Sequence, residues 1–285
     1  MLNTLLGVPK AAMYLIYGLI GLLVGSALNV AIACATARGG ARPAFLHCPQ
    51  CGARCSAVRV LPVIGHIASK GRCQTCGARR PLRALWVELS AALIFALLWR
   101  GLGTSWRLVL LTIYSCVLLV ILVIDLEHRL VPNVLVLPAI LVALLAIPLE
   151  LVIYPVPPSL FALPMILMRL WGGPALSPAV LAMISLFAGG VISFGIFLLI
   201  WLIAPQEMGA GDVKLAAFAG LITGFPGAVA AVCGSFLLGG LAAIALLLSG
   251  KAGRKTTIPF APFLCLSTFL ALVFGNRLLF WYLGM

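Results

Sequence analysis

Only two of the six acidic residues in this 285-residue chain are aspartates, Asp125 and Asp212. Each stands where an uncharged stretch meets a polar boundary. Asp125 closes one such stretch in Val123-Ile124-Asp125-Leu126-Glu127-His128-Arg129, and Asp212 opens another in Met208-Gly209-Ala210-Gly211-Asp212-Val213-Lys214. Two carboxyls held together in a low-dielectric pocket cannot both ionise, so one keeps its proton while the other draws a proton from water. That division of labour hydrolyses peptide bonds. Gly209 and Gly211 suit it, because glycine lets the backbone bend before a helix and lets a substrate chain approach closely. Lys214 is expected on a nearly opposite helical face, reaching for lipid phosphate. The bland alternative is that Asp212 caps a helix and Asp125 binds interfacial water. An ionisable group at the edge of hydrocarbon is costly and is functional by default, which favours the paired reading when both aspartates fall on one side. The pair is expected within hydrogen-bonding or single-water reach.

A second set of residues points to metal. Cys48-Pro-Gln-Cys51-Gly and Cys73-Gln-Thr-Cys76-Gly are two CxxC-Gly knuckles, with Cys55 as a spare thiol between them. Each knuckle can aim two thiolates at one ion, and two knuckles complete a four-sulfur structural zinc site, which leaves no open position for catalysis. The segment around them, 36–83, carries nine Lys or Arg and no acid. It is too short and too cationic to fold on apolar burial alone, so bound metal would supply its stability. Disulfides are the competing use, and a reducing cytosol disfavours them. Cys34, Cys116, Cys233 and Cys265 read as small buried packing residues. His47 and His66 lack knuckle spacing.

The elements that position these groups are set by composition. With 64% hydrophobic and 9% charged residues, no soluble core could hide the apolar side chains, so the solvent is lipid. A bilayer core about 30 Å thick takes roughly 20 helical residues to cross. Eight spans are predicted, at about 11–35, 84–99, 108–125, 131–153, 179–204, 211–224, 225–249 and 257–283, the sixth and seventh divided at Gly224-Phe225-Pro226-Gly227. The expectation is an all-α polytopic membrane protein. Its parts are a first span (1–35), a small cytoplasmic Cys-rich domain (36–83) and a membrane bundle carrying both aspartates (84–285). Residues 154–178 mix Pro with large apolar groups and suit a loop at the bilayer surface.

The formal net charge of +13 reports orientation rather than nucleic acid. With the N-terminus outside and eight alternating spans, 14 of the 19 Lys and Arg fall inside, and the ends bearing Asp125 and Asp212 both face the cytoplasm. Glu127, His128 and Arg129 are expected as a solvated rim. Glu88 reads as an acid at the positive end of the second span, and Ser26 and Asn29 as interhelical hydrogen-bond groups.

Together these motifs resemble the bacterial type IV prepilin peptidases. The resemblance rests on Gly25-Ser26-Ala27-Leu28-Asn29-Val30, the two knuckles, Arg83 to Leu89, Ile124-Asp125, the GxGD signature Gly209 to Asp212 with Val213-Lys214, and Ile258-Pro259-Phe260-Ala261-Pro262-Phe263. It implies an inner-membrane aspartyl endopeptidase that removes the short basic leader from type IV prepilins and pseudopilins at the cytoplasmic face. It also implies N-methylation of the new N-terminus with S-adenosylmethionine, for which no residues are assigned. Cys34-Ala35-Thr36-Ala37 and Val58 to Pro62 depart from the family pattern, which weakens the methylation reading. The rival from another class is a transporter or proton-relay protein using Asp125 and Asp212. Such proteins show repeated halves and mid-bilayer acids, and neither is visible here.

Overall fold

Inside a bilayer every backbone polar group must find a partner within the protein, and a helix achieves this within one segment. The computed structural model describes residues 9–36, 51, 72–73, 75–77, 82–153, 177–206, 208–250 and 259–283. Its helices are α1 (Lys10–Thr36), α2 (Arg83–Leu102), α3 (Trp106–His128), α4 (Asn133–Ile153), α5 (Pro178–Ile203), α6 (Ala210–Thr223), α7 (Gly227–Leu248) and α8 (Ala261–Leu283). Each predicted span coincides with one of them. The chain is an all-α polytopic membrane protein: α1, α2, α3, α5 and α7 are long and apolar enough to cross a bilayer. The predicted break between the sixth and seventh spans is real. Gly224 ends α6 at φ 63°, a left-handed value that favours glycine, and Pro226 precedes α7.

Two compact units divide within α3, between Val123 and Ile124. In the first, α1 packs on α2. A Cβ on Gly21 would stand 2.6 Å from Ala92 Cα, and one on Gly25 2.7 Å from Glu88 Cα, so only glycine permits the approach. Ser26 Oγ donates to Glu88 Oε1 at 3.1 Å, and Asn29 Nδ2 donates to the Ala84 carbonyl at 3.0 Å. Ser26 and Asn29 are thus the interhelical groups expected. Glu88, expected as an acid at the positive end of the second span, lies past the first turn of α2, buried against α1 and accepting from it. Tyr14 and Tyr17 pack on the Trp99 indole.

In the second unit α6 is the hub, packed by α4, α5, α7 and α8. It has 14 residues, a length of about 21 Å at 1.5 Å per residue, less than a bilayer core. Neighbours on several sides bury Val213, Leu215, Ala216 and the run Phe218–Thr223. Gly220 meets Gly189 of α5 backbone to backbone, and a Cβ on Gly189 would lie 2.8 Å from the Gly224 carbonyl carbon. The turn after α6 is pinned to α5, since Ser185 Oγ donates to the Phe225 carbonyl at 2.6 Å and Phe225 N–H donates to the Ser185 carbonyl at 2.9 Å.

The cysteine expectations need correction. Cys265 is buried, but Cys34 and Cys233 are exposed and Cys116 is only partly covered, because their helices turn those faces away from the packed neighbours. Cys48, Cys55, His47, His66 and residues 154–176 lie outside the described residues.

Candidate active site

Asp125 lies in the last turn of α3 and is 5% exposed. Three residues later the helix ends, and Arg129 takes the left-handed region at φ 52° while its N–H donates to the Asp125 carbonyl at 2.9 Å. That turn sends the chain past the start of α6. Val131 presses on Gly211, where a Cβ would come within 2.7 Å of Val131 Cβ. Asn133, the first residue of α4, accepts from Lys214 Nζ at 2.9 Å. Residues 125–133 therefore wrap the Gly209–Lys214 turn, and this wrap brings the two aspartates together.

Two expectations change in consequence. Lys214 is engaged with Asn133 rather than reaching for lipid phosphate. The space a Cβ on Gly211 would need is taken by Val131. Gly209 fits its expected part better, although its φ of −73° and ψ of 139° suit any residue. It is exposed, and a Cβ there would stand 3.7 Å from Asp212 Oδ2, so glycine keeps that side of the carboxylate open.

Asp212 is the third residue of α6, half-buried, with its N–H donating to the Gly209 carbonyl at 3.0 Å. Its carboxylate accepts from the Gly209 N–H, the reach-back of a capping box. The capping reading is thus correct as far as it goes. Asp125 is held differently, by the N–H of Ala261, the first residue of α8. Its Oδ2 is buried and has no hydrogen-bond partner among the described residues. The two carboxylates interact electrostatically, Arg129 acts on Asp125, and the buried Cys265 thiol lies within electrostatic reach of both aspartates. Glu127, His128 and Arg129 form the exposed rim expected.

The sequence gives Ala261 no role and marks Cys265 only as a packing residue. The available signal was the Pro259-Phe260-Ala261-Pro262-Phe263 motif, but a backbone donor leaves no mark in a side-chain pattern.

Away from the aspartates, the Cys51, Cys73 and Cys76 sulfurs lie within 4.8 Å of one another, with Cys51 and Cys73 3.9 Å apart. Four sulfurs set tetrahedrally at about 2.3 Å from zinc stand about 3.8 Å from each other, so this cluster could hold a metal ion. Gly77, at φ 72°, turns the backbone after Cys76 as the second knuckle requires.

Fold and site together define a polytopic helical membrane protein that gathers one carboxylate from the last turn of α3 and one from the first turn of α6. The sequence model of the bacterial peptidase A24 N-terminal domain matches residues 19–101, and that of the type IV leader peptidase family matches residues 112–244. The chain belongs to the type IV leader peptidase family. It is 26% identical over 241 residues to a prepilin leader peptidase/N-methyltransferase of Bacillus subtilis, covering 84% of this chain and 85% of the relative. It is 29% identical to one of Pseudomonas aeruginosa, over 83% of this chain and 73% of the relative. A Legionella pneumophila relative of the same name aligns with 100% of this chain and 99% of its own length at 26% identity. No solved structure matches the chain.

Proposed function

We propose that this protein is an aspartic endopeptidase of the bacterial inner membrane that removes the leader of prepilins or pseudopilins, with Asp125 and Asp212 as its catalytic pair. One observation carries the reading: the two aspartates of the chain lie in mutual electrostatic range, and Oδ2 of Asp125 is buried without a partner among the described residues. A buried, unpaired carboxylate oxygen costs stability, and its retention argues for use. In the reaction the ionised carboxyl draws a proton from water and the water oxygen attacks the scissile carbonyl carbon. The protonated carboxyl donates to the carbonyl oxygen, and on collapse the new amine leaves with a proton. The Lys and Arg bias supports a site on the cytoplasmic face, where a basic leader would emerge from a substrate helix.

Cys48, Cys51, Cys73 and Cys76 would hold one structural zinc ion, which would organise the segment between α1 and α2. Relatives are named N-methyltransferases as well as peptidases, and methyl transfer from S-adenosylmethionine to the new amine is the corresponding second activity here. The test is incubation of the purified protein in detergent with a prepilin-like peptide, with and without S-adenosylmethionine, and mass analysis of both fragments. Cleavage at the leader junction, with a gain of one methyl on the mature fragment only when donor is present, is expected. Intact peptide overturns the peptidase reading. Cleaved but unmethylated product limits the protein to proteolysis.

A further inference from the structure

The geometry points to the first turn of α8 as the element that positions Asp125 for catalysis, through the backbone N–H of Ala261 and the aromatic cluster that anchors Phe260. This inference rests on the peptidase reading above. Asp125 sits near the end of α3, yet the donor that holds it comes from a helix that begins 136 positions later. The carboxylate accepts from Ala261, while Oδ2 is buried with no partner among the described residues. An N–H at a helix start has no partner inside its own helix and is available to a carboxylate, with the helix dipole in support. Held by one oxygen, the carboxyl is fixed in rotation while Oδ2 is presented to water or substrate.

The anchoring of that turn is built, not incidental. The Phe260 ring lies 5.6 Å from Phe197 of α5 and 5.3 Å from Phe236 of α7, and Phe197 lies 5.8 Å from Phe236. Gly239 of α7 lies beneath the Phe260 and Phe263 rings, and Phe197 is fully buried. Such ring pairs contribute about 0.5–1.5 kcal/mol each beyond the area they bury. Pro262 stiffens the helix start without removing the donor at 261. Ala261 is therefore a positioning residue acting through its main chain, and Phe260 secures it. The charged and titratable groups around Asp125 are Arg129 just past the end of its own helix, Asp212 on α6 and Cys265 on α8.

Proline is tolerated at the first helical position, so Ala261→Pro deletes the donor with the smallest disturbance to α8. With the full-length protein and a prepilin-like peptide, kcat should fall roughly 10- to 100-fold with little change in KM, the scale of a misplaced catalytic group. Loss of a donor to the ionised carboxyl should also move the acidic limb of the pH–rate profile to higher pH, which a merely structural defect would not do. Ala261→Gly keeps the donor and should keep both the rate and the profile. Phe260→Ala loosens the anchor and should lower kcat and shift the same limb to a smaller extent. A folded Ala261→Pro protein with wild-type kcat and profile overturns the inference. Should that variant fail to fold, an unchanged profile in Phe260→Ala overturns it instead. Failure of the wild type to cut would instead refute the peptidase reading itself.

Discussion

Glu88 and Asp125 are equally buried, each 5% exposed, and they are used in opposite ways. Glu88 lies in the α1–α2 seam, accepts from Ser26 of the facing helix, and sits where Gly25 brings that backbone against its own Cα. It joins two helices. Asp125 accepts from the Ala261 N–H of another helix, and among the described residues its second oxygen has no partner. A buried acid whose bonding capacity goes into a neighbouring helix is adhesive, while one that keeps an unsatisfied oxygen beside a second carboxylate retains a site for chemistry. The contrast also holds for the small residues around them. Gly21 and Gly25 serve only the seam, whereas Gly211 serves the wrap of residues 125–133 around Asp212.

The comparison breaks most easily at the acids themselves. Asp125→Asn should lower cleavage roughly 1,000-fold or more, since an amide can neither take the proton from water nor share one with Asp212. Glu88→Gln should still cut near the wild-type rate and lose only stability. Peptide cleavage followed by mass analysis separates the two, and loss of cleavage in a folded Glu88→Gln protein would erase the distinction. Next in size is Gly220→Ala, which drives a Cβ into the Gly189 backbone. It should cost about 1–3 kcal/mol or more as overpacking, whereas Gly18→Ala, with nothing within 4 Å, should be tolerated. Thermal unfolding in detergent checks both. Elemental analysis should find about one zinc per chain, as paired knuckles require. Its removal by a chelator should expose the thiols to alkylation while the membrane helices keep their circular dichroism. The smallest effect is at the seam. Ser26→Ala should cost about 1 kcal/mol of stability, the worth of one hydrogen bond, with cleavage unchanged.

The helices were legible because lipid demands long uncharged runs, and the break at Gly224-Phe225-Pro226 because glycine and proline end them. The aspartates were legible because they are rare and stand at boundaries. What escaped notice was long-range. Nothing local in Val131 or Asn133 says that they close on Gly211 and Lys214, and the lipid-phosphate expectation for Lys214 failed because helical-face geometry considers one helix at a time. Ala261 escaped because its contribution is main-chain. Glu88 was misjudged because its partner Ser26 lies 62 residues away.

The most direct measurement is the rate at which Asp125→Asn, Asp212→Asn and the double variant cut a prepilin-like peptide beside the wild type, each confirmed as folded. Two carboxyls that share one proton act as a unit, so both single variants should fall to the same background and the double should be no worse than either. Cleavage near the wild-type rate by either single variant would contradict the pair and leave that aspartate as a helix cap or an interfacial acid.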